Sequence, residues 1–462
     1  MLFYRTSRRH GRKRGRASIL GWPAVRGRPV LASWFCCLTC APLTRPPRRC
    51  CIIVVAASWR GSRMTALSGN PVKDRMDRNW LVVAGAFGAS FVAFLGLFNY
   101  GIFLDALIAE FGRGKALTAA VFSLTTFVYY LSGMVAGRLA DRYGPRPVIV
   151  ASSILVGTGF VLGSRAQSLG QLAMIWAVTL GPGVGASYSP LVAAVGSWFE
   201  RRRALALGVA LSGAGAGILA GAPICSFLLR SYGWRDAFVI LGVGSALTLG
   251  GCAITATRPS GMVRRGPSSL GSLLRTRTFA LLFLAVALLS LAFFTPFVFL
   301  ASYAQSRGIG PATTSIIVGL IGATSTVGRL LLAGLGGRIG EVRMYQLCHA
   351  LMACSFAVWL FAGSSVPALV LFSVLMGTGY GGFVALAPAV LAREFGPERL
   401  GGLIGTLYSA FAIGSATSPP LIGWLTDSVG AAPGIGFALV AAIAALAATL
   451  ALHPEQPTPR PA

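Results

Sequence analysis

Twelve runs of about twenty mostly apolar residues take up most of this chain, and they leave it few folds to choose from. They lie at 80–104, 117–140, 146–165, 170–196, 203–229, 236–257, 278–302, 312–336, 343–363, 367–391, 401–425 and 432–452. As a helix, each is long enough to cross a bilayer core of about 30 Å. An open sheet edge or bare loop in hydrocarbon leaves backbone groups unpaired, so the helix is the default spanning element. Charged residues make up 11% of the 462, against about 25% in soluble domains, so water-facing surface is scarce. The expected fold class is an all-α membrane protein of twelve transmembrane helices.

The runs form two copies of one unit. Gly181, Gly183 and Gly185 recur as Gly377, Gly379 and Gly381, and the same offset carries Leu139 onto Leu335, Arg142 onto Arg338, Gly144 onto Gly340, Arg203 onto Arg399 and Pro223 onto Pro419. Glycines alone carry little weight in a chain with 59 of them; arginines and a proline on the same offset carry more. Repeats of this size in an apolar chain mark secondary transporters, whose halves move about a shared centre. The expected division is a basic extension over 1–79, a first six-helix bundle over 80–257, a linker over 258–277, a second six-helix bundle over 278–452 and a tail over 453–462.

Basic residues sort by loop. One set of loops holds Arg138, Arg142, Arg146, Arg201, Arg202, Arg203, Arg258, Arg264, Arg265, Arg275, Arg277, Arg338, Arg343, Arg393 and Arg399; the other holds Arg113, Lys115, Arg165, Arg230, Arg235 and Arg307. The positive-inside rule makes the first set cytoplasmic, and an even number of spans puts both termini there too, in a multi-pass protein of the inner (plasma) membrane. The formal charge of +28 is no argument for nucleic acid: 17 of the 40 basic residues precede Trp80, and most others are loop arginines explained by topology and anionic lipid headgroups.

Residues 1–73 differ in composition from the rest, with no acid before Asp74 and five cysteines at 36, 37, 40, 50 and 51. Their apolar patches, 29–43 and 51–59, are too short to span. Disorder, or a true start at Met64 or Met76, is the expectation. Only Cys37 and Cys40 have C-x-x-C spacing, with no convincing histidine partner, so neither metal nor cofactor is expected.

Between the second and third runs stands Gly137-Arg-Leu-Ala-Asp141-Arg142-Tyr-Gly144-Pro-Arg146. Gly137 suits a close helix approach and Gly144 a tight turn. By itself the block reads as a charged turn at a membrane surface. It also resembles the G-x-L-a-D-R-x-G-r-[KR] signature of the major facilitator superfamily, a fold of two pseudo-symmetric six-helix bundles. The resemblance implies that Asp141 faces a helix N-terminus of the other half while Arg142 and Arg146 meet carboxylates, together a conformational latch. An anion so placed is worth up to about 2 kcal/mol when partly buried. The copy at Gly337-Arg338-Ile-Gly340 lacks the aspartate, which makes the latch one-sided.

A second block runs Ser187-Tyr188-Ser-Pro190, Trp198-Phe199-Glu-Arg201-Arg202-Arg203-Ala-Leu-Ala-Leu-Gly208 and Gly213-Ala-Gly215-Ala-Gly217. It is similar to the fourth-to-fifth-helix pattern of monocarboxylate transporters and their oxalate/formate-antiporter relatives. Ser418-Pro419-Pro420-Leu-Ile-Gly423-Trp-Leu-Thr-Asp427 resembles their eleventh helix, and Asp77-Arg-Asn-Trp80 echoes the motif before their first. The glycine series 181/183/185 and 213/217 does not fit a nucleotide loop and reads as helix packing.

Arg329 is the one basic residue deep in a run. Mid-bilayer arginine costs roughly 2.5–3.5 kcal/mol on insertion scales, so something in the bundle must offset it. Either a structural partner does so, or the guanidinium faces a cavity and takes an anion, whose carboxylate it matches with two hydrogen bonds. The resemblance favours the second reading, since monocarboxylate transporters carry an arginine at this place. Their aspartate one turn earlier is Ser325 here and the lysine of their first helix aligns with Leu104, so the proton-coupling pair is missing. Asp105 is the nearest candidate proton carrier, with a solvated helix-end charge as the alternative. Asn99, Tyr100, Tyr188 and Tyr408 are the first-choice cavity residues, ahead of Tyr129, Tyr303 and Tyr380; His349 is expected to be peripheral.

The resulting expectation is a monomeric secondary transporter, not an enzyme, that moves a small organic anion by rocking of its halves, with proton symport or anion exchange. A carboxylate substrate, protons and membrane lipid are the expected partners, and nucleic acid is not. An efflux carrier for amphipathic or drug-like compounds and a non-transporting membrane sensor are the alternatives.

Overall fold

The computed structural model describes residues 71–199, 203–257, 275–396 and 400–452, with some side chains, Tyr188 among them, outside the described part. The expected extension up to residue 70, Cys37 and Cys40, most of the linker and the tail also lie outside the described residues. Among the described residues the regular structure is all helical. In chain order it comprises α1 (Pro71–Gly96), a 3-10 segment (Leu97–Ile102), α2 (Leu104–Phe111), α3 (Lys115–Tyr143), α4 (Pro145–Gly163), α5 (Leu169–Val178), α6 (Leu180–Trp198) and α7 (Arg203–Thr255). There follow α8 (Arg277–Phe293), α9 (Thr295–Ser306), α10 (Pro311–Ile339), α11 (Glu341–Leu360), α12 (Val366–Phe395), α13 (Leu400–Ser428) and α14 (Ala431–Leu450).

Among the described residues, nine helical stretches are long and apolar enough to cross a membrane. One of them, Ala206–Thr255, covers the expected fifth and sixth spans, with a break at Gly233 (φ +75°, ψ 171°) that no side-chain-bearing residue adopts readily. The spans expected at 343–363 and 401–425 fall on α11 and α13, which are outside those nine. At one end of the bundle lie Arg113, Lys115, Arg165, Arg235 and Arg307, here called the Arg-poor end. The signature loop and Arg338 lie at the other, the Arg-rich end.

The repeat read from the sequence is also a repeat of contacts. A Cβ on Gly181 of α6 would stand 2.8 Å from the Thr125 carbonyl of α3, and one on Gly185 2.7 Å from that of Tyr129. In the second half, Gly377 and Gly381 of α12 press in the same way on the Ile321 and Ser325 carbonyls of α10, each partner carried over by the same offset. Gly183 lies on α4 against Val156, and its copy Gly379 on α11 against Met352. Any larger residue would hold these helix pairs apart. On α7, Gly213 and Gly217 press on the carbonyls of Phe87 and Phe91 in α1, while Gly215, on another face, meets Gly322 of α10.

Each half has its own aromatic centre. In the first, Trp176 packs on Phe160, Phe238 and Tyr100; in the second, Trp359 packs on Phe356, Phe372 and Tyr303. The halves meet where α3 packs on α13, α7 on α10, and the 3-10 segment on α9. Those seams bring side chains from both halves together near the middle of the bundle.

Candidate functional site

Arg329 stands on α10, eighteen residues beyond Pro311, or about 27 Å along the helix axis and nearer its Arg-rich end. It is buried, with 6% of its surface exposed. Its Nη1 donates to the Leu211 carbonyl of α7, in the other half. Its Nη2 reaches the Tyr380 hydroxyl of α12 at 3.5 Å, and the guanidinium carbon lies 5.6 Å from the centre of the Tyr380 ring. Nε is buried with no hydrogen-bond partner. Among the described residues, no carboxylate pairs with this arginine. One edge of the guanidinium is thus anchored, and the Nε–Nη2 edge holds only one long contact. That is the edge a carboxylate would take in a forked pair.

Aromatic rings continue from the arginine across the seam. Tyr380 packs on Phe293 at 4.9 Å between centroids, Phe293 on Phe411 at 5.3 Å, and Phe411 stacks on Tyr130 of the first half at 5.6 Å and 15°. Phe294 and Tyr408 close on the same Phe411 ring. Tyr130, Tyr380, Tyr408 and Phe411 stand close to halfway along α3, α12 and α13, and Phe293 and Phe294 at the junction of α8 and α9, close to the middle of the span Arg277–Ser306. The result is a midplane aromatic layer with a cation beside it, toward the Arg-rich end.

The structure redistributes the residues picked from sequence. Tyr100 does not line the seam as expected: it is 1% exposed inside the first half, between Phe122 and Trp176, and its hydroxyl donates to the Thr118 carbonyl at 2.6 Å. Asn99 is equally buried, its amide donating to the Leu95 carbonyl at 2.8 Å of its own helix while Oδ1 has no partner. Both belong to the 3-10 segment, all six residues of which are buried. Tyr408 is half-buried in the aromatic layer, with its hydroxyl 3.5 Å from the Val384 carbonyl. Asp105, on α2, is half-buried at the Arg-poor end and accepts from Ser302 of α9 at 2.8 Å, whereas Arg329 lies nearer the Arg-rich end of α10. His349 is fully buried against Tyr345 and Phe383, inside the second half and not at its periphery.

The signature block divides likewise. Gly144 has φ +90°, and Pro145 starts α4 directly after it, so the tight turn is there. Gly137 is not pressed against any helix: a Cβ there would meet nothing within 4 Å. Asp141, Arg142 and Arg146 are exposed at the Arg-rich end, Arg142 lying 5.2 Å over the Tyr143 ring. At the opposite end Arg235 pairs with Glu110 at 2.6 Å, and this hydrogen bond holds the Glu110 carboxyl below its ordinary range.

Sequence reading ranked Tyr380 low and passed over Leu211, Tyr130, Phe293 and Phe411. Leu211 acts through its carbonyl, which leaves no mark in residue type. The aromatic residues carried a signal only in being near the middle of their runs.

The sequence profile of the Major Facilitator Superfamily matches the chain over residues 86–365 and again over 282–462. Monocarboxylate transporter 13 of Rattus norvegicus is 30% identical over 359 residues, covering 76% of this chain and 83% of the relative. The aspyridones efflux protein apdF of Emericella nidulans is 29% identical over 374 residues, covering 79% and 75%. The crystal structure of a bacterial homologue of the human lysosomal transporter Spinster, inward-facing and unoccupied, superposes with a TM-score of 0.65 over 83% of this chain and 98% of its own, at 15% identity. At that identity the likeness speaks for the fold alone.

Proposed function

Since this chain belongs to the major facilitator superfamily and is a multi-pass membrane transporter resembling the monocarboxylate branch, we propose that it moves an organic monoanion, with Arg329 as the group that receives the carboxylate. The observation that carries this reading is a buried guanidinium with a free Nε and no acidic partner among the described residues. Left empty, such a cation in a span costs roughly 2.5–3.5 kcal/mol. A bound carboxylate would offset that cost while satisfying the Nε–Nη2 edge. A dicarboxylate would need a second fixed cation, and the family's other basic position holds Leu104 here.

Transport on this reading proceeds by rocking of the two halves about the aromatic layer, exposing Arg329 to either side in turn. The Arg-rich end is the cytoplasmic face, with both termini inside. Coupling is by anion exchange or by a proton; Ser325, which bonds only to the Gly322 carbonyl of its own helix, does not replace the absent acid. The test is uptake of labelled monocarboxylates into proteoliposomes by wild type and Arg329→Gln. Saturable uptake in the wild type that falls at least ten-fold in the variant supports the assignment. Equal saturable uptake by both removes it.

A second reading, export of larger amphipathic compounds, draws on the efflux relative and on the breadth of the aromatic layer. It predicts resistance to toxic amphiphiles in a host stripped of its own pumps, whatever residue stands at 329.

A further inference from the structure

Helices α3 and α13 pack on one another across the seam, and glycines bring them into close approach at the Arg-poor end. At the Arg-poor end the Asp427 carboxylate of α13 accepts from the Ala116 backbone N–H at 3.1 Å, in the first turn of α3. A Cβ on Gly114, which precedes that turn, would lie 2.6 Å from the same carboxylate oxygen. One helical turn back, a Cβ on Gly423 would lie 2.7 Å from the Ala116 nitrogen, so only glycine lets α13 come this close. Beside this seam, a Cβ on Gly101 would stand 2.7 Å from the Phe297 carbonyl and 2.6 Å from that of Val298, and Asp105 accepts from Ser302 at 2.8 Å. At the Arg-rich end of the same pair, a Cβ on Gly137 of α3 or Gly405 of α13 would meet nothing within 4 Å.

Asp105 belongs to the first half and Asp427 to the second, and each carboxylate grips the half it does not belong to. A carboxylate at the free N–H groups of a helix start is held by both hydrogen bond and helix dipole. We propose that Asp427 and Asp105 form a two-point clasp that keeps the Arg-poor end shut in the conformation described, and that the transport cycle requires both to release. This rests on the alternating-access part of the function proposed above and not on the identity of the cargo. It also gives Asp105 a role other than proton carrier, since its partner is the opposing half. Helix α3 becomes a lever of 29 residues, about 43 Å long, with opposing latches at its two ends. Asp427 acts on its N-terminus, and the signature loop with Asp141 closes its C-terminus.

The test reads conformation and needs no substrate. Phe299, 6% exposed, lines a cavity of about 30 Å³ at the Arg-poor end together with Ser302, Thr426 and Lys115. A single cysteine in its place, with the exposed Cys354 and the other native cysteines changed to serine, reports opening of that end through its labelling rate by a membrane-impermeant maleimide. Asp427→Asn and Asp105→Asn should each raise the rate about two- to five-fold, and the double variant by about the product. Asp141→Asn should lower it. Gly423→Ala, which wedges α13 off α3 without touching a charge, serves as the second route to an open end and should raise labelling as well. Unchanged labelling in all of these, in protein that melts like wild type, overturns the clasp. If labelling is flat while anion uptake persists, the clasp falls and the carrier reading stands. If labelling responds as expected and no anion is taken up, the clasp stands and the cargo assignment falls.

Discussion

Replacing Arg329 with leucine should separate two roles that a buried arginine can have. If the guanidinium were a structural tie, its loss would cost 3–5 kcal/mol, the usual penalty for breaking a buried ion pair. Here it has no acidic partner among the described residues, one unpaired nitrogen, one long contact to Tyr380 and one donated bond to the Leu211 carbonyl. That carbonyl lies inside a helix and keeps its own backbone donor. Truncation therefore loses about 1.5–3 kcal/mol of charged hydrogen bonding. It also removes an insertion cost of roughly 2.5–3.5 kcal/mol. The two nearly cancel, so Arg329→Leu should melt within a few degrees of wild type, or slightly above it. Binding should behave otherwise, because a carboxylate that loses its buried partner forfeits about 2–5 kcal/mol, or 30-fold and more in Kd. The assay is thermal unfolding of the detergent-purified protein against a panel of monocarboxylates. Wild type should be stabilised by at least one of them, with Tm rising as the logarithm of concentration above Kd, and the variant by none. A variant that melts far below wild type without ligand would refute the reasoning, since it would show that the arginine holds the bundle together.

Other substitutions test the architecture. Gly381→Ala drives a methyl into the Ser325 carbonyl and should destabilise by about 1–3 kcal/mol, whereas Gly137→Ala, with open space around its Cβ, should be neutral or gain about 0.5–1 kcal/mol of helix preference; paired melting curves decide. Tyr100→Phe should cost about 1 kcal/mol of stability through the lost bond to Thr118, with anion affinity unchanged, and a large change in affinity would return Tyr100 to the cargo site. The Glu110 carboxyl is held below its ordinary range by Arg235, so its contribution is present above the unfolded carboxylate pKa and is lost as pH falls through the lowered folded-state value. Because the pair is exposed the effect is small, and Glu110→Gln should flatten that acid-side decline in Tm without altering stability trends at neutral pH.

The apolar runs and the repeat were readable because hydrophobic length and glycine placement are enforced residue by residue. Gly181, Gly185, Gly377 and Gly381 each stand against a carbonyl that no side chain would clear, so the offset in sequence is the imprint of one contact made twice. Gly144 was readable for the same reason, since its φ excludes most residues. The proposed cargo site was legible only in Arg329, where cost forces a reason for the residue to exist. Tyr100 misled because a tyrosine beside Asn99 in a cavity-forming helix has the same letter whether it faces the seam or the core. It lies in the 3-10 turn over Leu97–Ile102, and nothing in that segment's composition announces the turn. Leu211 was invisible because a carbonyl has no letter at all.

Asp427 shows how a charge can be read correctly in type and missed in role. Its segment was recognisable as an eleventh-helix pattern, which assigned the acid at its close no role of its own. What gives it a role is Gly114 and Gly423, separated from each other by most of the chain, which together bring an N–H of α3 within reach. Open space lies beside Gly137 and Gly405 on the same two helices, and Arg329 lies toward that end of the bundle. On the proposed cycle, an anion arriving from the Arg-rich side meets the free guanidinium edge before it meets the aromatic layer, while the clasp still blocks the far end. Passage then requires the rings of Tyr130 and Phe411, one from each half, to part as the carboxylates let go. Weakening that stack, as in Phe411→Ala, should speed leak between the two faces more than it weakens anion binding, and a variant that lost affinity while staying leak-tight would place Phe411 in the cargo site instead.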